Sequence, residues 1–239
     1  MIKAVFFDLY NTLITYDPPR EDTHIRLLKD RGIIITRKVI APAIKAGDEF
    51  FYRENSRLLI KERSPEEQQK FWYEYEMTIL NKAGISGLAT EEVFGLLKEL
   101  QKVKYEMAPF SDVLPAFSAL KNSGYKLGII SNIDRDINPM CEKMGLSPYL
   151  DIVLTSHQTG LYKPSPQIFH LACEKTGVTP AQAVYIGDQY QIDVVGANRS
   201  GMTGVLLDRN ELSDANQQAE HLLQSLIDAP RLVSEISSV

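Results

Sequence analysis

Short apolar runs that end on a polar residue recur along this chain and divide it into two kinds of territory. Residues 3–8 (KAVFFD) are continuously apolar and close on an acid. A run this short and this apolar predicts a strand buried on both faces. After about residue 107 the same kind of run returns, at Lys126–Ser131 (KLGIIS), Asp151–Thr155 (DIVLT), Ala183–Gly187 (AVYIG) and Thr203–Leu207 (TGVLL). Between most of them the apolar positions fall at helical spacing, over Val113–Ser123, Ile137–Met144, Pro166–Thr176 and Ile192–Ser200. Alternation of this kind predicts an α/β fold: a five-stranded, Rossmann-like parallel sheet covered by helices on both faces. The N-terminal strand must join that sheet, because a lone strand buries nothing.

From residue 15 to 106 the pattern is helical. Ser64-Pro65-Glu66-Glu67 reads as a helix start, with Ser as N-cap, Pro at the first helical position and Glu at the third. The following QQKFWYEYEMTILNKA keeps helical spacing, and Gly84 is a natural stop. Thr90 opens a further helix with Val93, Phe94, Leu96, Leu97 and Leu100 as its apolar face. Residues 36–60 are read as helical too, against the weakening effect of Pro42 and Gly47. Thr179-Pro180-Ala181-Gln182 repeats the capping logic in a short turn. The expected organisation is an α/β core of residues 1–14 plus 107–239, with a helical domain of residues 15–106 inserted into it.

Composition narrows the classes. With 44% hydrophobic residues the chain can build a real core, which excludes a disordered protein. A net charge of −5 and no long basic run exclude nucleic acid and anionic membrane as partners. No apolar run approaches the ~18 residues of a membrane span, and Asp8 interrupts the N-terminal segment too early for a signal sequence. Cys141 and Cys173 lie in helical segments and are read as buried, reduced thiols of a cytoplasmic protein. Of the 26 Lys/Arg and 31 Asp/Glu, 16 of each fall within 15–106. The inserted block is therefore neutral, and the predicted sheet domain carries the whole acidic excess.

Open parallel sheets bind ligands at the carboxyl ends of their strands. The residues there are Asp8, Ser131-Asn132 and Asp188, with Lys163 in the connection after the 151–155 strand. Two carboxylates brought together repel unless a cation or a proton lies between them. A hard-oxygen set without convergent His or Cys points to Mg²⁺ rather than zinc. Taken singly, each residue has a plainer reading: Asp8 and Thr12 as turn residues, Ser131-Asn132 as a helix cap, Lys163 as a surface lysine, and Asp188 or Asp193 as a cap on the 192–200 helix.

Four segments in order carry a resemblance. Asp8-Leu9-Tyr10-Asn11-Thr12, Ser131-Asn132, Lys163-Pro164 and Gly187-Asp188-Gln189-Tyr190-Gln191-Ile192-Asp193 are similar to motifs I to IV of the haloacid dehalogenase (HAD) superfamily. The 15–106 block resembles the helical C1 cap of its subfamily I. The resemblance implies a HAD-like core with an inserted cap and hydrolysis through an aspartyl-enzyme intermediate. It makes Asp8 the nucleophile and Lys163 the shield for its charge. Thr12, Ser131 and Asn132 would bind the substrate. Asp8, the Tyr10 carbonyl, Asp188 and Asp193 would hold Mg²⁺, Asp193 through water or as a support. The expected partner is a small anionic substrate, with the chain a monomer or homodimer.

Two positions pull apart. Family phosphatases carry an acid where this chain has Tyr10, whereas 2-haloacid dehalogenases commonly carry Tyr there. Those dehalogenases use no metal and typically have Ser in place of Asp188 and Asn in place of Tyr190, and often Tyr at the position of Phe169. The reading is a Mg²⁺-dependent phosphatase of a small phosphorylated metabolite. The alternatives are a metal-independent 2-haloacid dehalogenase, or a fold retained for binding. In the inserted block Arg20, His24, Tyr52, Arg53 and Arg57 are available to an anion, with Arg20 first among them. Trp72, Tyr73 and Tyr75 read as core. His157, His170 and His221 show no metal spacing.

Overall fold

The computed structural model describes residues 1–209 and 219–238. Among the described residues there are eight strands: β1 (Ala4–Phe7), β2 (Ile14–Asp17), β3 (Glu106–Pro109), β4 (Lys126–Ser131), β5 (Ile152–Thr155), β6 (Ala183–Gly187), β7 (Thr203–Leu207) and β8 (His221–Leu223). Six of them form one parallel sheet in the order β5-β4-β1-β6-β7-β8. β1 lies at its centre, with Phe7 opposite Ile129 of β4 and Ile186 of β6.

The pleat explains why these runs need no polar alternation. Val5, Phe7, Leu127, Ile129, Val184, Ile186, Val205 and Leu207 pack on one face, against the helices Val113–Asn122 and Ala229–Ser237. Ala4, Phe6, Ile130 and Tyr185 pack on the other, against the helix Pro166–Thr176. Both faces are covered, so both sets of alternate side chains are apolar.

The sheet has six strands where the spacing predicts five. β8 is only three residues long (HLL), too short for any periodicity to reveal. β2 runs into the start of the block that reads as helical and β3 begins at its last residue; the two pair with each other as a two-stranded ribbon. The predicted helix over 192–200 begins as a wide π-turn at Tyr190–Val194 and becomes α-helical only over Val195–Arg199.

The chain divides into two compact units, residues 1–15 with 107–239, and residues 16–106. The second unit is built from α1 (Arg20–Lys29), α2 (Arg37–Asn55), α3 (Pro65–Lys82) and α4 (Thr90–Lys102). Its core holds Leu27, Leu28, Ile40, Ile44, Tyr75, Ile79, Val93 and Leu96. The Ser64 capping box forms in full: Ser64 Oγ accepts from the Glu67 amide at 3.3 Å, and the Ser64 amide donates to Glu67 Oε2 at 2.8 Å. Pro42 and Gly47 do not stop α2. Gly47 faces α3 so closely that a Cβ would lie 2.6 Å from Ile79 Cγ1, so packing explains the glycine.

Candidate active site

The polar residues predicted at the strand ends converge within the sheet unit. Asp8 follows β1 directly, and its amide donates to the Ile186 carbonyl at 3.0 Å. The chain then turns through Asn11 at φ 57°, a left-handed position that Asn tolerates, and the Asn11 amide donates to the Ile14 carbonyl at 2.8 Å. Thr12 is fully buried by this turn, and its Oγ1 lies 3.5 Å from Asp188 Oδ1. The turn is held from outside as well. Arg209 donates to the Thr12 carbonyl at 2.8 Å and to both Asp112 oxygens at 2.7 and 3.0 Å, and stacks 4.0 Å from the Phe110 ring centroid.

Lys163 is the hub. Its ammonium, 4% exposed as a residue, donates to Asp8 Oδ1 at 2.5 Å, to Asp193 Oδ1 at 2.7 Å and to the Tyr185 hydroxyl at 2.8 Å. An ammonium has three N–H donors, so all three are used inside the protein. Burial works against the charge, but Asp193 and Asp8 outweigh it and hold the Lys163 pKa above that of an ordinary lysine. The Lys163–Pro164 peptide bond is cis. Asn132, expected to bind substrate, is instead committed to Lys163. Its amide nitrogen donates to the Lys163 carbonyl at 2.8 Å, and its oxygen accepts from the Lys163 amide at 2.7 Å. It therefore positions Lys163. Ser131 is buried at the end of β4, and its hydroxyl has no hydrogen-bond partner among the described residues.

Asp193 reaches the site from the π-turn. Its Oδ2 accepts from the Gln189 amide at 3.0 Å while Oδ1 holds Lys163. Its approach requires Gly187, where a Cβ would lie 2.4 Å from the Asp193 carboxyl. Asp8, Asp188 and Asp193 each offer a carboxylate oxygen, and these atoms all lie within 4.8 Å of one another. Burial is the main influence on Asp8 and pushes its pKa up; Lys163 pulls it down and Asp193 raises it again, leaving it at about 6. A desolvated carboxylate cluster with one ammonium among three acids fits an added cation, and the all-oxygen donor set suits a hard one.

Tyr185 was not singled out in the sequence. It lies in the middle of β6, fully buried, and its hydroxyl donates to the Ile130 carbonyl at 2.9 Å while accepting from Lys163. Burial pushes its pKa well above the ordinary phenol value. The available signal was a tyrosine inside an otherwise aliphatic run, because a buried phenol must find a partner. Tyr10 is half-buried, and its hydroxyl accepts from Arg135 Nη2 at 2.8 Å. In the helical unit, Arg20 is engaged rather than available. Nη1 donates to both Asp48 oxygens at 2.9 and 3.0 Å, and Nη2 donates to the Tyr75 hydroxyl. His24 is buried there too, with Nδ1 on the Arg20 carbonyl at 2.9 Å.

Comparison with known proteins finds full-length relatives. Over its full length the chain is similar to the glyceraldehyde 3-phosphate phosphatase of Methanopyrus kandleri, at 28% identity over 99% of this chain and 97% of that one. It is also 28% identical to the ribulose-1,5-bisphosphate 5-phosphatase of Halopiger xanaduensis, over 98% and 100% of the two chains. Among solved structures, a HAD phosphatase from Thermococcus onnurineus aligns with a TM-score of 0.57 and 25% identity, covering 97% of this chain and 98% of that one. The model of haloacid dehalogenase-like hydrolases matches residues 2–201, and to that family of hydrolases this chain belongs.

Proposed function

We infer that the protein hydrolyses small phosphate monoesters through an aspartyl-phosphate on Asp8, with a bound divalent cation, Mg²⁺ by its chemistry. The observation that carries this is the convergence of Asp8, Asp188 and Asp193 within 4.8 Å. Replacement of halide on carbon gives no reason to gather three carboxylates, whereas phosphate hydrolysis with a cation does. The two full-length relatives named as phosphatases support the same reading.

Asp8, the Tyr10 carbonyl and Asp188 would hold the cation, with Asp193 behind them, and the cation would neutralise charge between Asp8 and the phosphate. Lys163 keeps Asp8 oriented and offsets the Asp193 charge. The Ser131 and Thr12 hydroxyls orient phosphate oxygens. An Asp8 oxygen attacks phosphorus, the P–O ester bond breaks, and its electron pair leaves with the alcohol oxygen, which takes a proton from water. Water then attacks phosphorus, releasing phosphate and restoring Asp8. The helical unit serves as the cap that selects the substrate. The two free, buried cysteines support the cytoplasm as the working compartment. No helix among the described residues is long and apolar enough to cross a membrane.

Tyr10 favours a second reading, a 2-haloacid dehalogenase, because halide leaves without a proton and needs no acid at that position. The assay separates the two. Phosphate release with Mg²⁺ should be abolished by EDTA and by Asp188→Ala. Chloride release from 2-chloropropionate that survives both treatments would overturn the phosphatase reading.

A further inference from the structure

All three donors of Lys163 are engaged inside the protein, by Asp8, Asp193 and Tyr185. The strand-end cluster is otherwise acidic. An anionic substrate with more than one charged group therefore needs a second cation from the protein, placed near the site but not inside it. Arg135 meets this description. It lies four residues after Ser131, in the loop that leaves β4, and β4 is the immediate neighbour of the strand that ends at Asp8. Its side chain is exposed, and it makes no ion pair among the described residues. It is nevertheless fixed, because Nη2 donates to the Tyr10 hydroxyl at 2.8 Å. That one bond leaves four N–H donors of the planar guanidinium open.

We propose that Arg135, anchored on Tyr10, is a specificity-determining residue that binds a second anionic group of the substrate, a carboxylate. The proposal rests on the phosphatase reading and deepens it. Tyr10 holds the guanidinium a phenol's length from the backbone of the Asp8 turn. The guanidinium is thereby tied to the turn that follows Asp8, on a side chain whose own backbone is within two residues of the candidate nucleophile. Guanidinium takes carboxylate or phosphoryl oxygens two at a time, and its tether lowers the rotamer entropy lost on binding. Tyr10 gains a role here that needs no proton transfer: it is a positioning residue for Arg135.

The test compares 3-phosphoglycerate with glyceraldehyde 3-phosphate, which share a carbon skeleton and differ in carboxylate against aldehyde. Steady-state kinetics with Mg²⁺ should give the wild type a kcat/KM at least about tenfold higher for 3-phosphoglycerate, as one charge-assisted contact supplies. In Arg135→Ala the KM for 3-phosphoglycerate should rise about 10- to 100-fold and the preference should collapse toward one. Arg135→Lys should restore only part of it, since an ammonium lacks the paired donors. Tyr10→Phe, which frees the anchor, should raise that KM several-fold. Hydrolysis of both substrates without discrimination by the wild type, or an equal loss on both in Arg135→Ala, would overturn the proposal alone. Hydrolysis of neither would overturn the phosphatase reading and the proposal with it.

Discussion

Tyr185→Phe tests the buried network behind the candidate nucleophile. Phenylalanine keeps the ring that packs edge-on against Phe169, 5.1 Å between centroids, so the packing change is confined to one oxygen. That oxygen makes two contacts, donating to Ile130 and accepting from Lys163. Its loss leaves one buried N–H of a charged group without an acceptor and takes a donor from the Ile130 carbonyl. A hydrogen bond to a charged group contributes ~1.5–3 kcal/mol and an orphaned buried group costs ~1–3 kcal/mol, so the substitution should destabilise by about 3 kcal/mol. For a chain of this size each kcal/mol moves the thermal midpoint by ~2–4 °C, giving a fall of roughly 6–12 °C. Circular dichroism melts of wild type and variant measure it directly. Kinetics should show a lower kcat at nearly constant KM, because Tyr185 acts through Lys163 and touches no substrate. A midpoint within about 1 °C of wild type would refute the reasoning, since the hydroxyl would then bridge nothing that matters.

Three further predictions follow from the same geometry. Asp8→Asn should abolish turnover; in metal-free protein its stability relative to wild type should improve as pH rises from about 4 to 6, because a folded pKa raised to about 6 from 3.8 lowers wild-type stability across that window, and a pH-independent difference in urea midpoints would contradict this. Burial opposes ionisation of Asp112, but Arg209, Ser225 and the Leu226 amide outweigh it and hold its pKa below the usual range; Asp112→Asn should therefore lower the thermal midpoint near pH 7, and the gap should close as pH falls below about 4, where wild type loses that contribution. Gly187→Ala should push the Asp193 carboxyl away from a Cβ that would lie 2.4 Å from it; kcat should drop at least tenfold with a lower midpoint, and wild-type activity would show that Asp193 does not need its present position.

The legible parts of the fold were those in which one physical constraint dominates. Strands covered on both faces must be apolar throughout, so β1, β4, β6 and β7 stand out as runs, and Asp8, Ser131-Asn132 and Asp188 at the ends of three of them mark the ligand edge. The Ser64 capping box was readable because two reciprocal hydrogen bonds need Ser and Glu three apart. What stayed hidden depended on distance in sequence. β8 exists because β7 offers it an edge, and three residues carry no period of their own. The Arg209–Asp112 pair spans 97 positions, and no local pattern ties it to the Thr12 turn. Gly47 reads as a weak point and Gly187 as the end of a run, yet each is set by a side chain from elsewhere, Ile79 and Asp193. Asn132 shows the same limit: its position after β4 was readable, but its commitment to the Lys163 main chain emerges only when residues 31 apart meet.

The central claim is that Asp8 becomes covalently phosphorylated. Wild-type protein mixed with Mg²⁺ and glyceraldehyde 3-phosphate, acid-quenched within milliseconds and reduced with borohydride, converts any aspartyl phosphate to homoserine. Peptide mass spectrometry should find homoserine at position 8 in the wild type, and none in the wild type quenched without substrate or in Asp8→Asn. Steady phosphate release with an unmodified Asp8, or with the modification at Asp188 or Asp193, would contradict the account.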